Sequence, residues 1–193
     1  MTDPARPASA VAPQGPAVDT EHKGDDAEAR DGIVVAVTDE SEAGPIDLEA
    51  WRRVGCETLQ AEGVTTGRLD LIFVDRDAIA ELNREHLGND RPTDVLAFPL
   101  DGPSALDENR RSTVSSPEEP ERHLGDIVVC WEIAADQASA HAGTVEAELT
   151  LLVVHGVLHV LGHDHAEPAE TLRMQDRERT HLRRYGFEHP VRV

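Results

Sequence analysis

Four stretches of the chain carry β-rich or alternating apolar runs, and five keep apolar residues at helical spacing. GIVVAV (32–37), LDLIFV (69–74), TDVLAFPL (93–100) and HLGDIVVCW (123–131) are bounded by Gly, Pro or polar residues and read as strands. Pro45 opens a helix with Asp47 near its N-cap, and Leu48, Trp51, Val54 (or Gly55) and Leu59 keep the spacing to about Glu62. DRDAIAELNREHLG (75–88) sets Ile79, Leu82 and Leu87 on one face and closes at Gly88. From Glu132 onward the pattern is helical, over roughly 132–142, 145–162 and 167–185. The order βαβαββααα predicts a single α+β domain, a small mixed four-stranded sheet packed with about five helices.

Two segments lack any apolar period. Residues 1–31 are rich in Ala, Pro, Gly and acid, and are expected to form a disordered tail ahead of a domain over 32–193. DGPSALDENRRSTVSSPEEPER (101–122) is expected to be a long polar loop.

Composition narrows the class. Asp and Glu number 38 against 18 Lys and Arg, a net charge of −20, and Lys23 is the sole lysine. Such a surface repels polyanions at long range, so any nucleic acid must meet a local groove. No apolar run has the length of a membrane span, and no basic region followed by an apolar one marks a secretory signal. Cys56 and Cys130 are far apart and form no CxxC, which fits a reducing, cytosolic compartment.

The chemistry concentrates in TVEAELTLLVVHGVLHVLGHDH (144–165). Thr144 is an N-cap candidate, and Glu146 and Glu148 suit the positive end of the helix. The helix is apolar nearly all round, so it should cross the core. His155 and His159 stand four residues apart and leave one face, so both can bite one metal ion. Gly162 permits a left-handed turn that ends the helix and brings His165 back as a third nitrogen ligand. Three His with an open fourth position is the layout of a catalytic zinc site, so one Zn2+ per chain is expected at this helix C-terminus. His163 is expected to face solvent. Asp164 either orients a ligand histidine or caps the next segment.

The spacing H-x3-H-x2-G-x2-H equals that of zincin-type proteases, except that Gly156 stands where they carry Glu. That Glu takes a proton from the zinc-activated water, and Gly156 cannot. The missing base favours a phosphodiester, with its better leaving group, over a peptide.

HGVLHVLGHDH resembles the H-G-x-L-H-L-x-G-Y-D-H signature of the YbeY family of bacterial endoribonucleases. LNREHLGNDRPTDVLAFP (82–99) is similar to its L-N-x-x-Y-R-x-x-D-x-P-T-D-V-L-S-F-P, and LGDIVVC (124–130) to its G-D-I-V-I-S strand. The resemblance covers about residues 33–187. It implies a cytoplasmic, zinc-dependent, single-strand-specific endoribonuclease that matures 16S ribosomal RNA. It further implies ribosome quality control, the small ribosomal subunit and its proteins as partners, and no membrane. It maps the zinc ligands onto His155, His159 and His165.

Two positions depart from that pattern. His163 replaces Tyr, and Leu87 replaces an Arg that the family links to RNA cleavage. Arg84 and Arg91 are the candidate substitutes for phosphate binding and, with His155 and Asp164, the candidate catalytic residues. Asp94 and Asp126 read as turn caps. The arginines of 173–184, interleaved with Asp176 and Glu178, read as a solvated face. A ribosome-assembly factor with a structural zinc, and a metalloprotease, are the competing functions. Oligomeric state is not legible.

Overall fold

The computed structural model describes residues 32–41, 46–100 and 122–190. The expected tail over 1–31, Pro45 and nearly all of the 101–122 loop lie outside them. The elements are β1 (Ile33–Asp39), α1 (Leu48–Ala61), β2 (Gly67–Val74), α2 (Arg76–Leu87), β3 (Val95–Pro99), β4 (His123–Cys130), α3 (Trp131–Ala138), α4 (Val145–Val160) and α5 (Pro168–Arg184). This is the predicted order, with boundaries moved by a few residues.

The strands lie in the order β1-β2-β4-β3. β1 pairs parallel with β2, β2 parallel with β4, and β3 antiparallel with β4 at the edge. Alternation along the strands gives the sheet two apolar faces. Ile33, Val35, Leu69, Leu71, Phe73, Ile127 and Val129 join the main core with α1 and α4. Val74, Leu96, Val128 and Cys130 point the other way, into a smaller cluster closed by Ile79 of α2. Trp51 of α1 is fully buried and meets Phe73 with ring centroids 6.2 Å apart.

The helix starts follow the local chemistry that the sequence advertises. Asp47, Asp75 and Thr144 cap α1, α2 and α4, accepting from the backbone N–H of Ala50, Ala78 and Ala147. α5 opens on Pro168 with a reciprocal capping box between Glu167 and Glu170. α4 is buried along nearly its whole surface, as its unbroken apolar run requires.

One residue of α2 departs from expectation. Leu87 does not share the buried face of Ile79; it is 68% exposed. Eight residues at roughly 100° each place it about 80° off that face. Asn83, one turn after Ile79, takes the inner position instead, and its amide donates 2.6 Å to the Arg91 carbonyl. That bond ties the loop after α2 to the helix.

Candidate metal centre

The end of α4 builds the site. The Gly162 N–H donates to the His159 carbonyl, the His163 N–H to Leu158, and Gly162 adopts φ +89°. This is the paired closure that a left-handed residue permits, and it turns the chain back beside the helix. His165 thereby faces the rings of His155 and His159, with centroids 5.6 and 5.0 Å away. Ligand atoms of all three lie within 4.8 Å of one another.

The donor set fits a metal ion. His155 Nε2 and His159 Nε2 stand 3.1 Å apart. Zinc–nitrogen bonds of about 2.0–2.1 Å in tetrahedral geometry set ligand atoms roughly 3.3 Å apart. The His155 tautomer agrees. Glu178 Oε1 accepts from His155 Nδ1 at 2.6 Å, which leaves the lone pair on Nε2. Burial, then the charges of His155 and His165, lower the His159 pKa to about 4, so this ring is neutral at pH 7. Two ring nitrogens at this separation lie close to the spacing of two ligands on one ion.

Glu178 is the buried support. It is 5% exposed, and its second oxygen accepts from His189 Nε2 at 2.7 Å. Burial pushes its carboxyl up, but the bonds from His155 and His189 outweigh that and hold the pKa down, at about 2. A carboxylate behind a metal-facing histidine fixes its tautomer and raises its basicity. Asp164 Oδ1 accepts from the His165 backbone N–H at 2.7 Å and shapes the return turn.

Gly156 has a packing reason. A β-carbon there would sit 2.7 Å from Ile127 Cγ2 and 3.1 Å from its Cδ1. The helix therefore rests directly on β4, and a side chain where zinc proteases carry their glutamate would have to displace Ile127.

A groove of about 1070 Å³ runs past the histidines, between the loop after α2, β3 and the end of α4. Arg91 and the exposed Leu87 line it, as do His86 and Phe98, whose rings meet edge-on at 4.9 Å. Arg84 is not on its walls; its guanidinium pairs with Glu81 at 3.1 Å. Asp94 lines the groove together with the histidines. It caps the start of β3 through Val95 N–H, and it also accepts from Gln137 at 2.7 Å.

His163 does not face solvent. Its Nε2 lies 3.5 Å from Glu62 Oε2, and its side chain is 16% exposed. Glu62 also accepts from His181 at 2.8 Å and pairs with Arg177. Burial raises this carboxyl, yet His163, His181 and Arg177 together hold it far below the usual carboxylate range. The loop after α4 is thus anchored to the end of α1. Across the sheet, Asp70, His123 and Asp126 also gather. There Arg68 already pairs with Asp70 at 2.9 Å, and His123 lies 3.2 Å from Asp126.

The sequence reading missed Glu178, His189 and Asp94 as parts of the site. For Glu178 a signal existed. Met174, Glu178 and Leu182 recur every four residues, and all three are buried, so the acid lies on the inner stripe of α5 and not on a solvated face.

A family model described as Endoribonuclease YbeY matches residues 36–186. A protein named Endoribonuclease YbeY from Salinispora tropica is 44% identical over 141 residues, covering 72% of this chain and 88% of its own. Another of that name, from Carboxydothermus hydrogenoformans, is 39% identical over 131 residues, covering 68% and 80%. The solution structure of TM1509 from Thermotoga maritima superposes with a TM-score of 0.52 at 26% identity, over 79% of this chain and 89% of that one.

Proposed function

The chain belongs to the YbeY family of endoribonucleases, and on that premise we propose that it cuts single-stranded precursor RNA of the small ribosomal subunit with one zinc ion held by His155, His159 and His165. The observation that carries this reading is the convergence of three imidazoles, one backed by a buried carboxylate, on the wall of an open groove. Three nitrogen donors with room for a fourth ligand suit zinc. When bound, the ion supplies positive charge and Lewis acidity at a phosphoryl group.

The chain's own residues do the rest. Glu178 keeps the His155 proton on Nδ1, so that Nε2 stays free to ligate. Arg91 on the groove wall offers a guanidinium fork to a phosphate. His86 and Phe98 offer ring surface on which unpaired bases can stack. Gly156 leaves no carboxylate base at the position a peptidase uses. The two unpaired cysteines suit a cytoplasmic enzyme, and maturation and quality control of the subunit are the processes it serves.

Incubation of the zinc-loaded protein with small-subunit precursor RNA tests the proposal. Cutting by the parent, lost in His159→Ala, supports it. Binding of subunits without cutting would replace it with a non-catalytic assembly role, and digestion of casein would point to a peptidase. The ends left on the products distinguish hydrolysis from attack by the neighbouring 2′-hydroxyl.

A further inference from the structure

A second cavity, of about 250 Å³, lies on the α5 side of the histidines. His155 and His165 line both this cavity and the groove, as do Asp94 and Val95. The proposed metal position is therefore the partition between two spaces. Something laid in the groove with its reacting atom at the histidines can extend a neighbouring group into the second one.

The cavity has the build of a pocket for a flat, partly polar ring. Its floor is apolar, formed by Leu151, Leu152 and Met174, each 5% exposed or less. Its polar lining includes Gln175 and His141. Its volume equals that of roughly eight waters at about 30 Å³ each, close to one heteroaromatic ring system and well short of a folded partner. His141 is held through Nδ1 by Glu148 at 2.8 Å, and Glu148 precedes His155 by seven residues on α4. Seven residues rise about 10 Å along a helix, so Glu148, and with it the His141 ring it holds, is anchored about two turns from His155.

Glu148 makes that far end rigid. It is fully buried and also accepts from Gln137 at 3.1 Å and from the Ala142 N–H at 3.2 Å. With Nδ1 committed to this carboxylate, His141 has only Nε2 left to offer a ligand. The Gln175 side chain is half-buried, and its amide carries both a donor and an acceptor. A buried apolar floor with a few placed polar groups is how small-molecule sites combine affinity with orientation.

We propose that this cavity is a nucleobase subsite, which takes the base flanking the phosphate cut at the histidines and reads its edge with Gln175 and His141. The proposal rests on the RNA-cleaving reading and adds to it a sequence preference at one nucleotide. A flipped-out base is available only in a single strand, so the same cavity also excludes paired RNA.

Calorimetric titration of the zinc-loaded protein with the four nucleoside 5′-monophosphates, the four 3′-monophosphates and ribose 5-phosphate tests it. At least one nucleotide is expected to bind ten-fold or more tighter than ribose 5-phosphate. Gln175→Ala should reduce that margin at least three-fold while leaving zinc content and ribose 5-phosphate binding unchanged. Leu152→Phe, which fills the floor, should abolish the margin, and its melting curve reports separately whether it folds. Equal binding of all nine ligands by the parent, or an intact margin in Gln175→Ala, overturns the subsite. A parallel digestion of precursor RNA separates the two claims. RNA cut without any base margin removes the subsite and leaves the nuclease; a base margin without RNA cutting keeps the subsite and removes the nuclease.

Discussion

Gly156 on α4 lies so close to Ile127 on β4 that a β-carbon on the glycine would fall 2.7 Å from the Ile127 Cγ2. Helix propensity favours Ala over Gly by about 1 kcal/mol, but overpacking a core contact costs typically 1–3 kcal/mol. Packing should win here, because the clash is with the branched root of Ile127 and not with a free chain end. Gly156→Ala is expected to lose about 1–2 kcal/mol and Gly156→Glu more. At roughly 2–4 °C per kcal/mol for a chain of this size, thermal melts read the difference. Ile127→Ala should relieve part of the Gly156→Ala loss; strict additivity of the two would show that the contact is not the cause.

Removing the charge behind His155 should weaken the metal before it weakens the fold. Glu178→Gln keeps the size of the side chain but removes its charge, and its amide can present a donor as well as an acceptor to His155 Nδ1. Metal affinity is expected to fall 10- to 100-fold, as loss of such a supporting carboxylate typically does. Competition with a chelating dye measures it. Unchanged affinity in a folded Glu178→Gln protein would remove Glu178 from the site.

Acid should destabilise the metal-free protein in two steps. The fold holds the His159 pKa at about 4, below the ordinary histidine value, so the unfolded chain takes up a proton first as pH falls from about 6.5. Glu178, held at about 2, contributes stability that is complete above its unfolded pKa near 4.5 and is lost as pH falls towards 2. Both signs agree, so stability should decline steadily below pH 6.5, by on the order of 2 kcal/mol before pH 4. Urea titrations of chelator-treated protein at pH 7.5, 5.5 and 4 report this. A rise in stability on acidification to pH 5.5 would contradict the His159 assignment.

The two candidate arginines should behave differently. Arg91 lines the groove, whereas Arg84 is paired with Glu81 away from it. Arg91→Ala is expected to slow RNA cleavage several-fold and Arg84→Ala to leave it near the parent rate. Leu87→Arg, which puts a guanidinium on the same wall, should raise it. All three should retain full zinc content by metal analysis. Equal loss in both alanine variants would mean that net charge, and not the groove, governs the encounter.

Much of this was legible in the sequence because it is local. The caps Asp47, Asp75 and Thr144, the turn at Gly162 and the four-residue spacing of His155 and His159 all act within a few residues of themselves. They fixed the element order and the histidine cluster. What stayed hidden depends on contacts between distant elements. Glu178 meets His155 across 23 positions, and His163 meets Glu62 across 101 (163 − 62). No spacing rule joins α5 to α4. Leu87 failed for a geometric reason: its apolar character suggested the core, but eight residues of helix carried it round to the groove. Gly156 stood out in the sequence as the absence of a protease-type Glu; that it is also a packing requirement needed the position of β4.

On the proposed function, His155, His159 and His165 hold the metal ion on which RNA cutting depends. The most direct measurement follows cleavage of small-subunit precursor RNA by the parent protein and by His159→Ala, with zinc content determined on the same samples. Discrete cuts and about one zinc per chain are expected for the parent, with both lost in the folded variant. Equal cutting by the two proteins, or cutting by the parent that persists after its zinc is stripped, would contradict it.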